Sequence, residues 1–369
     1  MSTGPTRVMS SAYMHWAKTH SQATYNLATS GVRPYTLDQL RVELSDLELS
    51  GATFYGYPPL QQAIAAKCRV NADSVVAANG TSMANFLALA TLIAPGDEVL
   101  IEQPTYELLI SAALYLGAKV NRFARPARNG FQLDPAEVAR AITPRTKLII
   151  VTNMHNPSNA YTHDETISQI GDIAAHTGAL VLVDEVYLDA AFTRAPQTAF
   201  HLGEHFISTS SLTKVYGLSG LRCGWILAAP ALAERMWRLN DLFGVAQPHA
   251  AERLSCLAFA RLPEIAAHSR ALLERNRVLA NGFFETRTDL EVDPITDGMI
   301  AFPRLRRGSV EELCVLLREK YETSLVPGRF FEMPEHFRLS IGGDTKMLSG
   351  GLERLGAALD EFRKKEGIM

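Results

Sequence analysis

The sequence predicts an α/β fold, in which a large domain around a mostly parallel, seven-stranded sheet is joined to a smaller α+β domain. Between about residues 75 and 225, seven short apolar runs alternate with helix-like segments, and several of these runs are continuous. Continuous apolar runs are typical of strands buried on both faces, and strand–helix alternation is typical of parallel sheets. A chain of 369 residues, 47% of them apolar, is long enough for two domains.

The seven predicted strands are Ser74–Ala78, Glu98–Glu102, Lys119–Phe123, Lys147–Thr152, Ala179–Asp184, His205–Thr209 and Trp225–Ala229. The helices predicted between them are Ser82–Ile93, Tyr106–Leu116, Asp134–Ala141 and His163–His176. The Asp134-Pro135 pair is a helix start, because aspartate caps the first turn and proline tolerates the first helical position.

Charged helical segments dominate after about residue 230, with two strand-like pieces, Gly298–Phe302 and Phe337–Ile341. The helical segments are Ala231–Phe243, His249–Ala260, Pro263–Asn281, Val310–Lys320 and Lys346–Lys365. We expect one long helix, from about Leu254 to Phe284, to link the two domains. Residues 1–40 show little periodicity and are expected to pack with the C-terminal part. The predicted division is therefore a large domain of residues 41–250 and a small domain of residues 1–40 and 251–369.

Composition argues against several classes of function. The net charge of -3 and the pI of about 6.4 predict no basic surface, so nucleic acid is not expected as a partner. The N-terminus does not resemble a secretory signal, and apolar stretches such as residues 86–94 are too short to cross a bilayer. The four cysteines lie far apart, which predicts reduced thiols, no metal site and a cytoplasmic location.

The first candidate site residue is Lys214, which follows the strand His205–Thr209 in the segment Ser210-Ser211-Leu212-Thr213-Lys214. Ligands in open α/β sheets bind beyond the carboxyl ends of the strands. The cofactor pyridoxal 5'-phosphate (PLP) needs one amine for a Schiff base, and the Ser211 hydroxyl and the Arg222 guanidinium suit its phosphate. The alternative is a solvated loop lysine, which is the commoner case for a lysine considered alone.

Asp184 ends another predicted strand, where an isolated carboxylate is costly unless it is paired. A pyridinium nitrogen would be a suitable partner, because a neighbouring carboxylate keeps that nitrogen protonated. The alternative is an aspartate that caps a helix. Tyr187, three residues later, is placed to reach the ring hydroxyl, although simple packing is the commoner case for a tyrosine considered alone.

The segment Gly80-Thr81-Ser82 lies between a predicted strand and a predicted helix. Free backbone amides at a helix start, together with two hydroxyls, form an anion site that suits a phosphate. Capping of the helix by Thr81 or Ser82 is an equally good interpretation. The segment is not GxGxxG, so a nucleotide site is not indicated.

Three further residues occupy positions that suit a ligand. Asn156 follows a strand and could donate to a ring oxygen, or simply form an Asn-Pro turn. Tyr106 could stack on a flat ring, or pack in the core. Arg338 lies inside an apolar run, where a buried guanidinium needs either a substrate carboxylate or an internal salt bridge.

Together, the order and spacing of these motifs resemble the class I/II aminotransferases, which are PLP enzymes of fold type I similar to aspartate aminotransferase. The resemblance covers roughly residues 25–360 and implies PLP as the cofactor. It implies that Lys214 is the catalytic Schiff-base lysine, that Asp184 binds the pyridine nitrogen, and that Tyr187 and Asn156 bind the ring hydroxyl. It also implies a stacking role for Tyr106 and a phosphate-binding set consisting of Gly80, Thr81, Ser82, Ser211 and Arg222.

On the substrate side, the resemblance implies that Arg338 binds the α-carboxylate, that Asn156 also binds the substrate, and that Gly31 lies near the substrate. It also implies a homodimer with shared active sites, in which Tyr55, or Tyr57 instead, reaches the phosphate of the neighbouring subunit. Asn159 stands where the family commonly has glycine, and asparagine can adopt the left-handed conformation of that turn.

The function expected from this resemblance is ping-pong transfer of an amino group between an L-amino acid and a 2-oxo acid. A lyase, decarboxylase or cyclising synthase on the same fold is the alternative, because the sequence does not show which α-bond is broken. A PLP-binding regulatory module is less favoured, since residues 1–40 contain no basic DNA-binding segment. Tyr13, Trp16, Tyr25 and Tyr35 could line a substrate entrance, although packing in the core or at a dimer interface is the better explanation.

Overall fold

The structure is a computed structural model that describes residues 8–51 and 54–365. Its strands are β1 (Tyr25–Asn26), β2 (Val75–Asn79), β3 (Glu98–Gln103), β4 (Lys119–Ala124), β5 (Thr146–Thr152), β6 (Leu180–Asp184), β7 (Phe206–Ser211), β8 (Cys223–Leu227), β9 (Leu290–Glu291), β10 (Ile300–Ala301), β11 (Arg304–Leu305), β12 (Thr323–Ser324), β13 (Val326–Pro327) and β14 (Phe337–Ser340). Its helices are α1 (Ala12–Thr19), α2 (Leu37–Leu40), α3 (Pro58–Cys68), α4 (Gly80–Leu92), α5 (Glu107–Tyr115), α6 (Pro135–Ala141), α7 (Asp164–Thr177), α8 (Pro230–Asn240), α9 (His249–Ala260), α10 (Leu262–Glu285), α11 (Val310–Tyr321) and α12 (Thr345–Lys365).

The central sheet has seven strands in the order β2-β8-β7-β6-β5-β3-β4. Strand β8 runs antiparallel to both of its neighbours, and the pairs β3–β4, β3–β5, β5–β6 and β6–β7 are all parallel. Each of the seven predicted strands is present, with its ends within two residues of the prediction. The predicted α/β class with a mostly parallel sheet is confirmed.

Burial on both faces explains why the strands are continuously apolar. Along β5, Leu148 and Ile150 pack on the side of α4 and α5, while Ile149 and Val151 pack on the side of α7. Successive side chains of a strand point to opposite faces, so both sets must be apolar when helices cover both sides. The layers therefore leave the carboxyl ends of the strands as the open edge of the sheet.

The smaller sheet elements lie mainly in the C-terminal part, where β14 pairs with both β10 and β13 in antiparallel fashion. Strand β1 pairs with β12, so residues 25–26 lie beside residues 323–324. The proposed boundaries at residues 40 and 250 stay a prediction.

The expectation of one long helix from about Leu254 to Phe284 is wrong, whereas the separate helical segments His249–Ala260 and Pro263–Asn281 are confirmed. Helix α9 ends at Ala260, Arg261 departs from helical geometry with φ -116° and ψ 15°, and α10 begins at Leu262 with Pro263 in its first turn. Proline has no backbone N–H and cannot continue a preceding helix, so it breaks the segment into two. No helix in the described part of the chain is long and apolar enough to cross a membrane.

Candidate active site

A cavity opens at the carboxyl ends of the parallel strands, where Thr152 of β5 lies in register with Asp184 of β6. Nine of the residues singled out from the sequence line it: Thr81, Ser82, Tyr106, Asn156, Asp184, Tyr187, Lys214, Arg222 and Arg338. A larger cleft between residues 127–132 and 291–304 contains none of these nine. We assign the site to the smaller cavity, because it brings together the titratable side chains of Asp184, Tyr187, Lys214 and Arg338.

Lys214 extends from the segment after β7 into this cavity, and its Nζ donates to Ser30 Oγ at 2.8 Å. Burial and the positive charges of Arg338 and Arg222 together lower the pKa of Lys214 to about 8, with Asp184 opposing the shift. A substantial fraction of the amine is therefore neutral near neutral pH, as a nucleophile or base requires. Lys214 is not a solvated loop lysine. Ser30 was not singled out from the sequence.

Asp184 is 4% exposed and accepts two hydrogen bonds. Asn85 Nδ2 donates to Oδ2 at 2.7 Å, and the amide of Val186 donates to Oδ1 at 3.0 Å. Burial raises the pKa of Asp184 to about 6, and the two hydrogen bonds limit that rise. Asn85 is in turn fixed by Thr209, whose Oγ1 donates to Asn85 Oδ1 at 2.5 Å. These contacts hold a buried carboxylate in one orientation at the floor of the cavity.

The start of helix α4 is arranged for an anion. The N-cap residue Asn79 makes no side-chain capping bond, and Thr81 Oγ1 donates to Ser211 Oγ at 2.9 Å. The amides of its first turn are thus left for a ligand. Arg222 Nη2 donates to Asn79 O at 3.3 Å, beside Gly80. Gly80 has φ +76°, and a Cβ there would lie 2.3 Å from Arg222 Nη2, so only glycine fits this position.

The structure places Ser211 behind the lining of the cavity. Its hydroxyl is buried, accepts from Thr81, and lies 2.7 Å from Thr213 Oγ1. Thr213, rather than Ser211, lines the cavity. The sequence showed a cluster of hydroxyls but not which of them would face the ligand.

Two tyrosines line the cavity beside Asp184 and Arg338. Tyr187 is 1% exposed, and burial raises its pKa to about 12 although Arg338 lowers it. Tyr106 packs edge-on against Tyr13 with the ring centroids 5.7 Å apart, and burial raises the pKa of Tyr106. Both phenols therefore stay protonated at neutral pH and can act as hydrogen-bond donors.

Arg338 is 1% exposed, and all its hydrogen-bond partners in the described structure are neutral. Its Nη1 donates to Asn156 Oδ1 at 2.9 Å and its Nη2 to Tyr13 Oη at 2.8 Å, while Nε has no acceptor. The internal salt bridge considered from the sequence is thus not formed among the described residues. A buried guanidinium without an anion is costly, which indicates that a ligand carboxylate completes the site.

A buried network supports Asn156 from behind. The backbone N–H of Asn156 donates to Thr152 Oγ1 at 3.1 Å, and that hydroxyl donates to Glu102 Oε1 at 2.6 Å. Glu102 in turn pairs with Arg125 Nη1 at 2.7 Å. The turn after Asn156 includes Asn159 with φ +70°, so this asparagine adopts the left-handed conformation expected of it.

The remaining predicted residues lie outside the cavity. Tyr55 is 48% exposed and its Oη donates to Asp241 Oδ2 at 3.4 Å, while the ring of Tyr57 meets His249 edge-on at 5.0 Å. Gly31 lies against the backbone of Lys214, where a Cβ would be 3.3 Å from the Lys214 carbonyl oxygen. Their predicted roles toward a neighbouring subunit and a substrate stay predictions.

The cavity fits PLP on its own chemistry. Lys214 supplies an amine for an aldehyde, and the buried Asp184 carboxylate suits a protonated ring nitrogen. At the start of α4, free amides and the recess at Gly80 beside Arg222 suit a phosphate. These groups would hold the aldehyde, the nitrogen and the phosphate of one cofactor.

Comparisons with known proteins agree with this assignment. The family model described as aminotransferase class I and II matches residues 36–355. Capreomycidine synthase of Streptomyces vinaceus is 28% identical over 97% of this chain and 96% of its own length. A PLP-dependent aminotransferase structure from Streptococcus suis has a TM-score of 0.91 at 26% identity, covering 97% of this chain and 99% of that one. The structure of the PLP-dependent cyclase OrfR has a TM-score of 0.87 at 26% identity, and the match covers 98% of this chain and 100% of the OrfR chain. The chain therefore belongs to the class I and II aminotransferase family of PLP-dependent enzymes.

Proposed function

We propose that the protein is an aminotransferase that moves an amino group between an L-amino acid and a 2-oxo acid by a ping-pong mechanism. The observation that carries this proposal is the buried Arg338, which lacks an anionic partner and lines the same cavity as Lys214 and Asp184. The α-carboxylate of an amino acid supplies the missing anion. Its binding there brings the substrate α-carbon into the cavity that holds the Lys214 amine.

Lys214 acts as the base in this proposal. Its lowered pKa leaves part of the amine neutral near pH 7, so Nζ can remove the proton from the substrate α-carbon and return it elsewhere. When bound, PLP supplies an electron sink for the bond that breaks at the α-carbon. The hydrogen bond to Ser30 Oγ holds Nζ in the cavity.

Other side chains orient the reacting groups. Asp184, fixed by Asn85 and Val186, would keep the ring nitrogen of bound PLP protonated, and Tyr187 is available to donate to its ring hydroxyl. The start of α4 and Arg222 would hold the phosphate.

We also propose that the protein works as a homodimer in the cytoplasm. Large apolar side chains are exposed around Tyr55, with Phe54 at 68%, Leu242 at 79% and Val245 at 66% exposure. Exposed apolar groups of this size favour a subunit interface. Sedimentation analysis tests the dimer. Loss of PLP affinity in Tyr55→Phe, but not in Tyr57→Phe, would identify the tyrosine that reaches the neighbouring site.

A cyclising synthase is the second candidate. It is supported by the full-length similarity to capreomycidine synthase and to the cyclase OrfR, at identities that match the similarity to the aminotransferase. Either reaction can use the same amine, carboxylate and guanidinium, because each begins at the substrate α-carbon. The two reactions differ in which group leaves the substrate after this first step, and that group determines the product.

The deciding experiment is a visible spectrum of the purified, PLP-loaded protein during addition of single amino acids, followed by product analysis. An aminotransferase loses its yellow colour, releases one 2-oxo acid per site, and recovers the colour when a 2-oxo acid is added. A synthase or lyase instead yields a cyclised or eliminated product without an aminated cofactor. A protein whose spectrum changes only reversibly, without product, would exclude both enzymes.

A further inference from the structure

We infer that Tyr13 binds the substrate α-carboxylate together with Arg338, and so helps to select amines that carry a carboxylate. This inference rests on the proposed binding of an amino acid at Arg338, but it does not depend on which reaction follows. It concerns helix α1, an element that lies far from the remainder of the site in the sequence.

The local structure fixes the phenol of Tyr13. Ser11 caps α1 by accepting from the amide of Met14 at 3.0 Å, so the helix begins just before Tyr13. The Tyr13 ring is 5% exposed and lies 5.6 Å from the ring of Phe330 and 5.7 Å from that of Tyr106. A ring held by aromatic contacts on two sides has little freedom, and its hydroxyl is therefore preorganised.

The hydrogen bonds of this pair are incomplete. Tyr13 Oη accepts from Arg338 Nη2 at 2.8 Å, but the phenolic proton has no acceptor among the described residues. Arg338 Nε likewise has no acceptor. Two adjacent buried groups thus have unused donors, and the acceptor that best satisfies both is an anion with two oxygens.

A carboxylate meets this requirement. Its oxygens accept from the guanidinium of Arg338, and the Tyr13 hydroxyl, while still accepting from Nη2, donates its own proton to one of them. Asn156 Oδ1 occupies Nη1 on the other side and keeps the guanidinium from rotating. The Tyr13 hydroxyl therefore binds the carboxylate, whereas the Tyr13 ring serves only to pack the side chain in place.

The test compares Tyr13→Phe, which keeps the ring and removes the hydroxyl, with the unmodified PLP-loaded protein. The probes are the preferred amino acid with an α-methyl group, which has no α-proton to lose, and the corresponding amine without a carboxylate. Binding is read from the cofactor absorbance. We expect Tyr13→Phe to weaken binding of the α-methyl amino acid about tenfold, the value of one hydrogen bond to a charged group, and to leave binding of the amine unchanged.

Tyr25→Phe is the matched control, because the Tyr25 ring lies under Arg354 and outside the cavity. It should change neither dissociation constant. In turnover, Tyr13→Phe should raise KM for the amino acid with little change in kcat, since the bond to the carboxylate persists through the reaction. Equal weakening of both probes, or a change of less than twofold with the amino acid, would overturn the inference. Failure of the proposed transamination would appear instead in the products, with this binding result unaffected.

Discussion

Replacing Glu102 with glutamine is expected to destabilise the protein by about 3–5 kcal/mol, because Arg125 keeps its charge where no water reaches it. Both side chains are fully buried, and the ion pair is 2.7 Å long. Four donors surround the Glu102 carboxylate: Arg125 Nη1 at Oε2, and the Thr152 backbone amide, the Thr152 hydroxyl and the Thr105 hydroxyl at Oε1. A glutamine has one acceptor oxygen, so its NH₂ group must face a donor on one side.

The assay is equilibrium unfolding in urea at matched PLP concentrations. Glu332→Gln is the control, because its pair with Arg122 is partly exposed, with side-chain exposures of 35% and 20%, and such pairs contribute less than about 1 kcal/mol. The double variant Glu102→Leu/Arg125→Met, which removes both charges, should recover much of the loss. A loss below about 1 kcal/mol for Glu102→Gln would show that Arg125 is not left as a buried, unpaired charge, because such a charge costs several kcal/mol.

Three other changes test the parts of the site separately. Arg338→Lys keeps the charge but loses the planar donor edge, so KM for the amino acid should rise about tenfold or more in steady-state kinetics, and an unchanged KM would argue against carboxylate binding. Gly80→Ala places a methyl group 2.3 Å from Arg222 Nη2, so PLP affinity in an absorbance titration should fall by about tenfold or more. The control is Gly96→Ala, which also lies at positive φ but in open space and should not affect PLP affinity. The pKa of Lys214, lowered to about 8, predicts that the rate of PLP attachment to the apoprotein rises with pH to about 8 and then levels off, since only the neutral amine attacks. A rate that keeps rising to pH 10 would indicate a lysine with an ordinary pKa.

The sequence predicts the central sheet well because its strands are buried on both faces. Val181, Leu182 and Val183 of β6 are all fully buried, and such continuous apolar runs can be recognised without any structure. Polar residues that directly follow these runs, such as Asp184, must lie at one edge of the sheet when the strands are parallel. The position of the site could therefore be predicted together with the fold.

The partners of the site residues could not be predicted in the same way. The bond between Lys214 and Ser30 joins residues 184 positions apart, and no periodic pattern encodes such a contact. Asn85 is an exception, since it lies four residues after Thr81 on α4 and so faces the same side of the helix. That spacing was a signal for a second polar residue in the cavity.

Local backbone effects account for the elements that were missed. Helix α1 has only eight residues and a mixed composition, so tertiary contacts such as those of Tyr13 decide that it forms. Helix α3 begins at Pro58. Proline in a sequence usually indicates the end of a helix, but it is well tolerated in the first turn of one.

The proposed function depends on Lys214 being the residue that carries PLP. Borohydride reduction of the yellow protein converts the imine with the cofactor into a stable amine, and peptide mapping by mass spectrometry then locates the label. We expect one pyridoxyl group per chain, on Lys214, and none in Lys214→Ala. A pyridoxyl group on another lysine, or equal labelling of Lys214→Ala, would show that a different residue holds the cofactor.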